Sequence, residues 1–90
     1  MRVYPSSRFK RSYKKLSFSI KDDFNSKIKI FFRHPFDSRL KTHKLRGKLD
    51  SYYAFYLREG YRVLFVFEDD DNVLLINVGS HDDYARWSKK

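Results

Sequence analysis

Two apolar runs near the C-terminus constrain this chain more than any other feature. In residues 61–67, Tyr61, Val63, Phe65 and Phe67 point one way along an extended strand while Leu64 and Val66 point the other. A strand apolar on both faces belongs inside a sheet. Residues 73–78 are likewise apolar on both faces apart from Asn77. Between the runs lies Glu68-Asp69-Asp70-Asp71-Asn72, short, polar and rich in turn formers, so the two strands form an antiparallel hairpin. A hairpin sets the start of its first strand beside the end of its second, which predicts Arg62 next to His81. A guanidinium at the mouth of a buried strand needs water, a carboxylate or an anionic ligand beside it. An imidazole next to it can carry protons near neutral pH.

The rest of the chain supplies layers for this hairpin. Residues 1–4 read as a short strand closed by Pro5. Ser6 or Ser7 can cap a first helix whose stripe is Phe9, Tyr13 and Leu16, surrounded by Arg8, Lys10, Arg11, Lys14 and Lys15. Leu16-Ser17-Phe18 reads as a connection, and Ser19 with Asp22 as the capping box of a second helix bearing Ile20, Phe24, Ile28 and Phe31. Pro35 stops that helix near Arg33 or His34. Residues 36–49 form a basic loop with Lys41, His43, Lys44 and Arg46, followed by an aromatic strand over 50–58 and a tight reversal at Arg58-Glu59-Gly60. After Gly79, residues 81–87 make a short turn or helix with Trp87 as a packing anchor. The expected architecture is α+β: two N-terminal helices packed on a small antiparallel sheet, in the order β-α-α-β-β-β with a short C-terminal helix or turn. Residues 1–90 are expected to form a single domain, since this length supports one core that hides roughly 60% of the chain's surface.

Charge is unevenly spread. Residues 1–49 hold fifteen Lys or Arg against Asp22, Asp23 and Asp37, whereas residues 50–90 hold five against eight acids. Such an imbalance weakens the compact state by self-repulsion and points to a polyanionic partner, of which nucleic acid is the commonest. The absence of cysteine removes disulfides and thiolate metal clusters. No stretch approaches the length of a membrane span, so the expectation is a soluble cytoplasmic protein with no membrane partner.

Three segments carry a family resemblance. His43-Lys44-Leu45-Arg46-Gly47, then Leu57-Arg58-Glu59-Gly60-Tyr61-Arg62-Val63-Leu64-Phe65, then Val78-Gly79-Ser80-His81-Asp82-Asp83-Tyr84 resemble the RelE/ParE superfamily of toxins from type II toxin–antitoxin pairs, closest to its RelE and YafQ-like mRNA interferase branches. The resemblance implies two N-terminal helices on an antiparallel sheet. It also implies metal-independent cleavage of mRNA, often on the ribosome, and silencing by a cognate antitoxin. Residue by residue, it implies that Arg62 stabilises the phosphate, that His81 is the histidine or arginine after the last strand, and that His43 is the loop histidine of YafQ-like members. Tyr84 falls near a catalytic C-terminal tyrosine. Where RelE-like members carry strand lysines, this chain has Ala54 and Tyr56, which favours histidine-based chemistry.

Metal-free RNA cleavage needs a base for the 2′-OH, a cation for the crowded phosphate and an acid for the leaving 5′-oxygen. The expected assignment is His43 as base, His81 as acid, Arg62 as clamp and Tyr84 or Tyr56 as an auxiliary donor or stacking surface, although sequence leaves the base and acid interchangeable. Lys10, Arg11, Lys14, Lys15, Lys41, Lys44, Arg46 and Tyr56 are the expected RNA-binding residues. Three separated histidines without cysteine give no metal spacing, so neither metal nor cofactor is expected. Two alternatives stand beside this: a ParE-like DNA gyrase poison without nuclease activity, and a noncatalytic basic RNA- or ribosome-binding protein.

Overall fold

The computed structural model describes residues 1–46 and 51–87. Its elements are β1 (Arg2–Pro5), α1 (Ser7–Lys14), α2 (Phe18–Arg33), β2 (His43–Lys44), β3 (Tyr53–Tyr56), β4 (Arg62–Phe67), β5 (Asn72–Gly79) and α3 (His81–Trp87). The strands form one sheet in the order β1-β5-β4-β3-β2, with the doubly apolar β4 in the middle. The α+β architecture and the two N-terminal helices agree with the sequence expectation. The sheet is mixed, because β1 pairs parallel to β5 while the other pairs are antiparallel.

Three further details differ from the sequence reading. The loop read over 36–49 contains the short strand β2, which pairs with β3 and widens the sheet. The cap of α2 is Ser17, whose side chain accepts from the Ile20 N–H, and not Ser19. Starting the helix earlier puts Ser19 in its first turn, where its hydroxyl accepts from Arg58, a tertiary contact that overrides the local capping-box pattern. The strand expected over 50–58 is confined to Tyr53–Tyr56. Its expected start at Asp50, and Gly47, Lys48 and Leu49 of the loop, lie outside the described residues.

Each face of the sheet has its own core. On one face, Phe9, Ile20, Phe24 and Phe31 from the helices meet Phe55, Val63 and Phe65. Phe31 sits 5.1 Å from Phe55 and 4.9 Å from Phe65 between ring centroids, within the range where tilted aromatic pairs add to burial. On the other face, Leu45, Ala54 and Leu64 form a smaller cluster covered by Tyr84 and Trp87 of α3. Since side chains alternate along a strand, Arg62 shares that second face with Leu64.

A bulge adjusts β5 near the Arg62 end. Phe65 pairs with Leu75 and Leu64 with Asn77, so Ile76 is an extra residue on β5. Asn77 is buried, and its Oδ1 accepts from the Ser12 hydroxyl at 2.6 Å and from the Val78 N–H at 2.9 Å. The one buried polar residue of β5 is thereby tied to α1.

Asp23 ties the helical layer to the turn before β4. Its carboxylate accepts from the Arg58 backbone N–H at 2.8 Å and from the Lys27 ammonium at 2.9 Å. Burial pushes this carboxyl up, but the two hydrogen bonds and the neighbouring charges outweigh burial and hold it below its ordinary value. A carboxyl depressed on folding stabilises the fold above its unfolded pKa, and that contribution is lost as pH falls through the folded value. Asp23→Asn is therefore expected to lose about 1–3 kcal/mol in urea unfolding at pH 7. The variant should also show a shallower loss of stability than wild type below about pH 4, measured as unfolding midpoints across pH.

Candidate active site

The site grows from the β3–β4 reversal. Arg58–Gly60 make a single 3-10 turn in which Glu59 and Gly60 have φ of 59° and 77°, and Gly enters that left-handed region without strain. The turn sets Tyr56 opposite Arg62 across β3 and β4, and Arg62 opposite Gly79 across β4 and β5. One row across the sheet thus holds a tyrosine, an arginine and a glycine.

Gly79 admits α3. A Cβ there would stand 2.7 Å from both Cβ and Oδ2 of Asp83, so the helix packs on bare backbone. The helix start is held reciprocally: Asp83 Oδ2 accepts from the Ser80 N–H at 2.9 Å, and Ser80 Oγ accepts from the Asp83 N–H at 3.2 Å. Asp83 also pairs with Arg86. This Ser80–Asp83 pair was visible in the sequence as an S-x-x-D pattern. Its effect is to bring His81 and Tyr84 onto Arg62.

Arg62 is held between aromatic faces. Its guanidinium carbon lies 4.7 Å from the Tyr56 ring centroid and 4.3 Å from that of Tyr84, and its Nη2 is 3.0 Å from His81 Nδ1. Each cation–π contact contributes about 0.5–2 kcal/mol according to its desolvation. Among the described residues no carboxylate lies within ion-pair distance of Arg62; the nearby acids Glu59 and Asp82 do not take that role. Its buried Nε–H has no hydrogen-bond partner.

The second imidazole approaches from β2. Leu40 is buried and its carbonyl accepts from the Tyr56 N–H at 2.9 Å. Lys41 then turns the chain with φ of 52°, and its carbonyl lies 3.2 Å from His43 Nδ1. The His43 ring stacks on Tyr56 at 5.5 Å and 28°. His43, Tyr56, Arg62, Tyr84 and His81 therefore form one continuous set of contacts.

The partners fix the two ring tautomers. A carbonyl only accepts, so His43 Nδ1 donates, and in the neutral ring its Nε2 carries the lone pair. A guanidinium only donates, so His81 Nδ1 accepts and its proton sits on Nε2. One ring offers a base and the other an N–H.

The basic residues divide into two groups. Lys41, Lys44 and Arg46 are exposed beside His43. Lys10, Arg11, Lys14 and Lys15 are exposed on α1, whose Phe9 packs on the opposite face of the sheet. Lys15 alone lines a groove of about 250 Å³ that reaches Gly79, Asp83 and Trp87. His34 is exposed at the end of α2, apart from these contacts. Among the described residues no cluster of three His, Cys, Asp or Glu could hold a metal, and no helix is long and apolar enough to cross a membrane.

No protein-family model and no curated protein sequence matches this chain. Solved structures do. The YoeB/ParE toxin from Agrobacterium tumefaciens superposes with a TM-score of 0.75 at 16% identity, covering 90% of this chain and 99% of that one. YafQ from E. coli strain BL21(DE3) gives 0.73 at 12% identity, covering 92% and 96%. The RelB-RelE antitoxin-toxin complex from Methanococcus jannaschii gives 0.75 at 14%, covering 93% and 96%. The chain has the fold of these toxins over nearly its whole length.

Gly79→Ala is expected to detach α3 without dismantling the sheet, since the added Cβ meets Asp83 and overpacking costs about 1–3 kcal/mol. Fluorescence of Trp87, the single tryptophan, should shift to the red while far-ultraviolet circular dichroism changes little.

Proposed function

We propose that this chain is the toxin of a type II toxin–antitoxin pair and acts as a metal-independent endoribonuclease on mRNA, with the ribosome as the setting of the cut. The observation that carries the reading is the guanidinium of Arg62, which contacts two tyrosines and an imidazole and, among the described residues, has no carboxylate within ion-pair distance. A phosphodiester supplies the missing negative charge and an acceptor for the free Nε–H. The fold shared with YafQ and RelE supports the same reading.

In the proposed reaction His43 Nε2 takes the 2′-OH proton as the 2′-oxygen bonds to phosphorus. Arg62 turns onto the phosphate oxygens and stabilises the extra charge of the pentacoordinate state. That turn frees His81 Nδ1, so His81 can bind a proton and pass its Nε2 proton to the 5′-oxygen as the P–O5′ bond breaks. The products are a 2′,3′-cyclic phosphate and a 5′-hydroxyl end. Tyr84 holds the clamp and stands within its reach as an auxiliary donor. Lys41, Lys44 and Arg46 border His43 and suit the approaching phosphate backbone.

The α1 residues suit a protein partner as well as RNA. Pro5, Phe9, Tyr13 and Phe24 line an apolar groove of about 330 Å³ whose rim carries Lys10 and Lys14. An acidic antitoxin segment that folds on binding fits an apolar floor with a cationic rim, and the RelB-RelE complex is a structural neighbour with such a partner.

Primer extension on mRNA after brief induction tests the reading. Discrete cuts are expected for wild type, with a loss of at least about 10²-fold in cleavage for Arg62→Ala, His43→Ala and His81→Ala. Wild-type cleavage in all three variants would sink it. Intact message with DNA damage would favour gyrase poisoning, and intact message with normal growth a noncatalytic binder.

A further inference from the structure

We infer that Tyr56 is a positioning residue, whose ring fixes the His43 imidazole and the Arg62 guanidinium relative to each other across β3. The inference rests on the nuclease reading and assigns Tyr56 a task other than stacking on RNA or reacting.

The topology dictates this place. β3 lies between β2, which carries His43, and β4, which carries Arg62. Tyr56 is opposite Arg62 in the ladder, while His43 is opposite Ala54, two residues earlier on the same face of β3. The Tyr56 ring thus receives His43 from one flank at 5.5 Å and Arg62 from the other at 4.7 Å. Both neighbours engage the half-buried ring within the site.

The main chain supports the same task. Consecutive carbonyls of one loop anchor the two partners: that of Leu40 accepts from the Tyr56 N–H, and that of Lys41 from the His43 ring. The ring and the imidazole therefore move with a single backbone segment. Among the described residues the Tyr56 hydroxyl has no hydrogen-bond partner, in contrast to Tyr13, which reaches Asn25. The aromatic face, and not the hydroxyl, makes the contacts in the site. A misplacement of about 1 Å between base and phosphate clamp costs about 10²-fold in rate, so the spacing held by this ring bears directly on turnover.

The test compares Tyr56→Phe with Tyr56→Leu in the full chain, reading RNA-oligonucleotide cleavage and the NMR signals of the His43 ring. Tyr56→Phe keeps the face and is expected to cleave within about 3-fold of wild type, with the upfield ring-current shift of the His43 protons retained. Tyr56→Leu is expected to lose that shift and to lower kcat by about 10²-fold while KM changes little. Equal losses of kcat in both variants would show that the hydroxyl reacts, and wild-type kcat in the leucine variant would show that the ring is dispensable; either overturns the inference. Should wild type itself leave RNA intact, the nuclease reading fails while the His43 signals still decide the geometry: a shift retained in Tyr56→Leu overturns the positioning, and its selective loss sustains it. Unfolding midpoints of both variants separate a folding defect from a local one, because Tyr56→Phe carries the ring without the hydroxyl.

Discussion

A guanidinium without a carboxylate is the constraint around which this molecule is arranged. Removing charge from water is costly unless the protein replaces hydration with directed interactions. Here the replacement is two aromatic faces and one imidazole nitrogen. A carboxylate would hold Arg62 more tightly, but it would also compete with any anion for the same donors. The cation–π contacts hold the charge in place without a competing anion, so an arriving acceptor need displace only the contact with His81. Each holder comes from a different element: Tyr56 from β3, through a left-handed turn, and Tyr84 and His81 from α3, through a glycine that lets the helix touch the strand.

This arrangement explains why the two faces of the sheet differ. The helix-covered face carries the larger aromatic core, with Phe31, Phe55 and Phe65 fully buried. Among the described residues the other face has only Leu45, Ala54 and Leu64 as buried apolar residues in its cluster, packed against Tyr84 and Trp87 of the short helix α3. The larger packed core lies on the first face and the candidate site on the second. Asp23 joins them, since the carboxylate that belongs to α2 holds the turn from which β4 and Arg62 begin. A rigid sheet between the two lets a lightly anchored helix carry site residues without loosening the fold.

Much of this was legible in the sequence because it follows from strand geometry. The adjacency of Arg62 and His81 needed only two apolar runs and a polar turn, and hairpin pairing did the rest. The parallel pairing of β1 was not legible, because the four residues Arg2–Pro5 have no pattern of their own and take their place from the free edge of β5. Nor was β2, where two residues carry no period. The Ser19–Asp22 pattern placed the cap of α2 two residues too late: Ser17, read as part of the connection, caps the helix, and Ser19 instead accepts from Arg58, far along the chain. The extra residue Ile76 was hidden for a related reason: a bulge matters only against its partner strand, and alternation within β5 gives no sign of it.

The difference between the two imidazoles shows where sequence reasoning must stop. His43 and His81 are the same side chain, and spacing along the chain leaves base and acid interchangeable. Folding makes them unlike through their neighbours. A backbone carbonyl beside one Nδ1 leaves a lone pair on the far nitrogen, and a guanidinium beside the other Nδ1 leaves a proton there. The hairpin announced that Arg62 would lie near His81, but not which ring nitrogen it would face, and nothing announced the carbonyl. The carbonyl belongs to Lys41, whose left-handed backbone has no glycine to announce it, and the guanidinium reaches His81 only because β4 and β5 are in register at Gly79. Which ring nitrogen is placed to donate and which to accept is a property of tertiary structure, set by what each nitrogen is made to face.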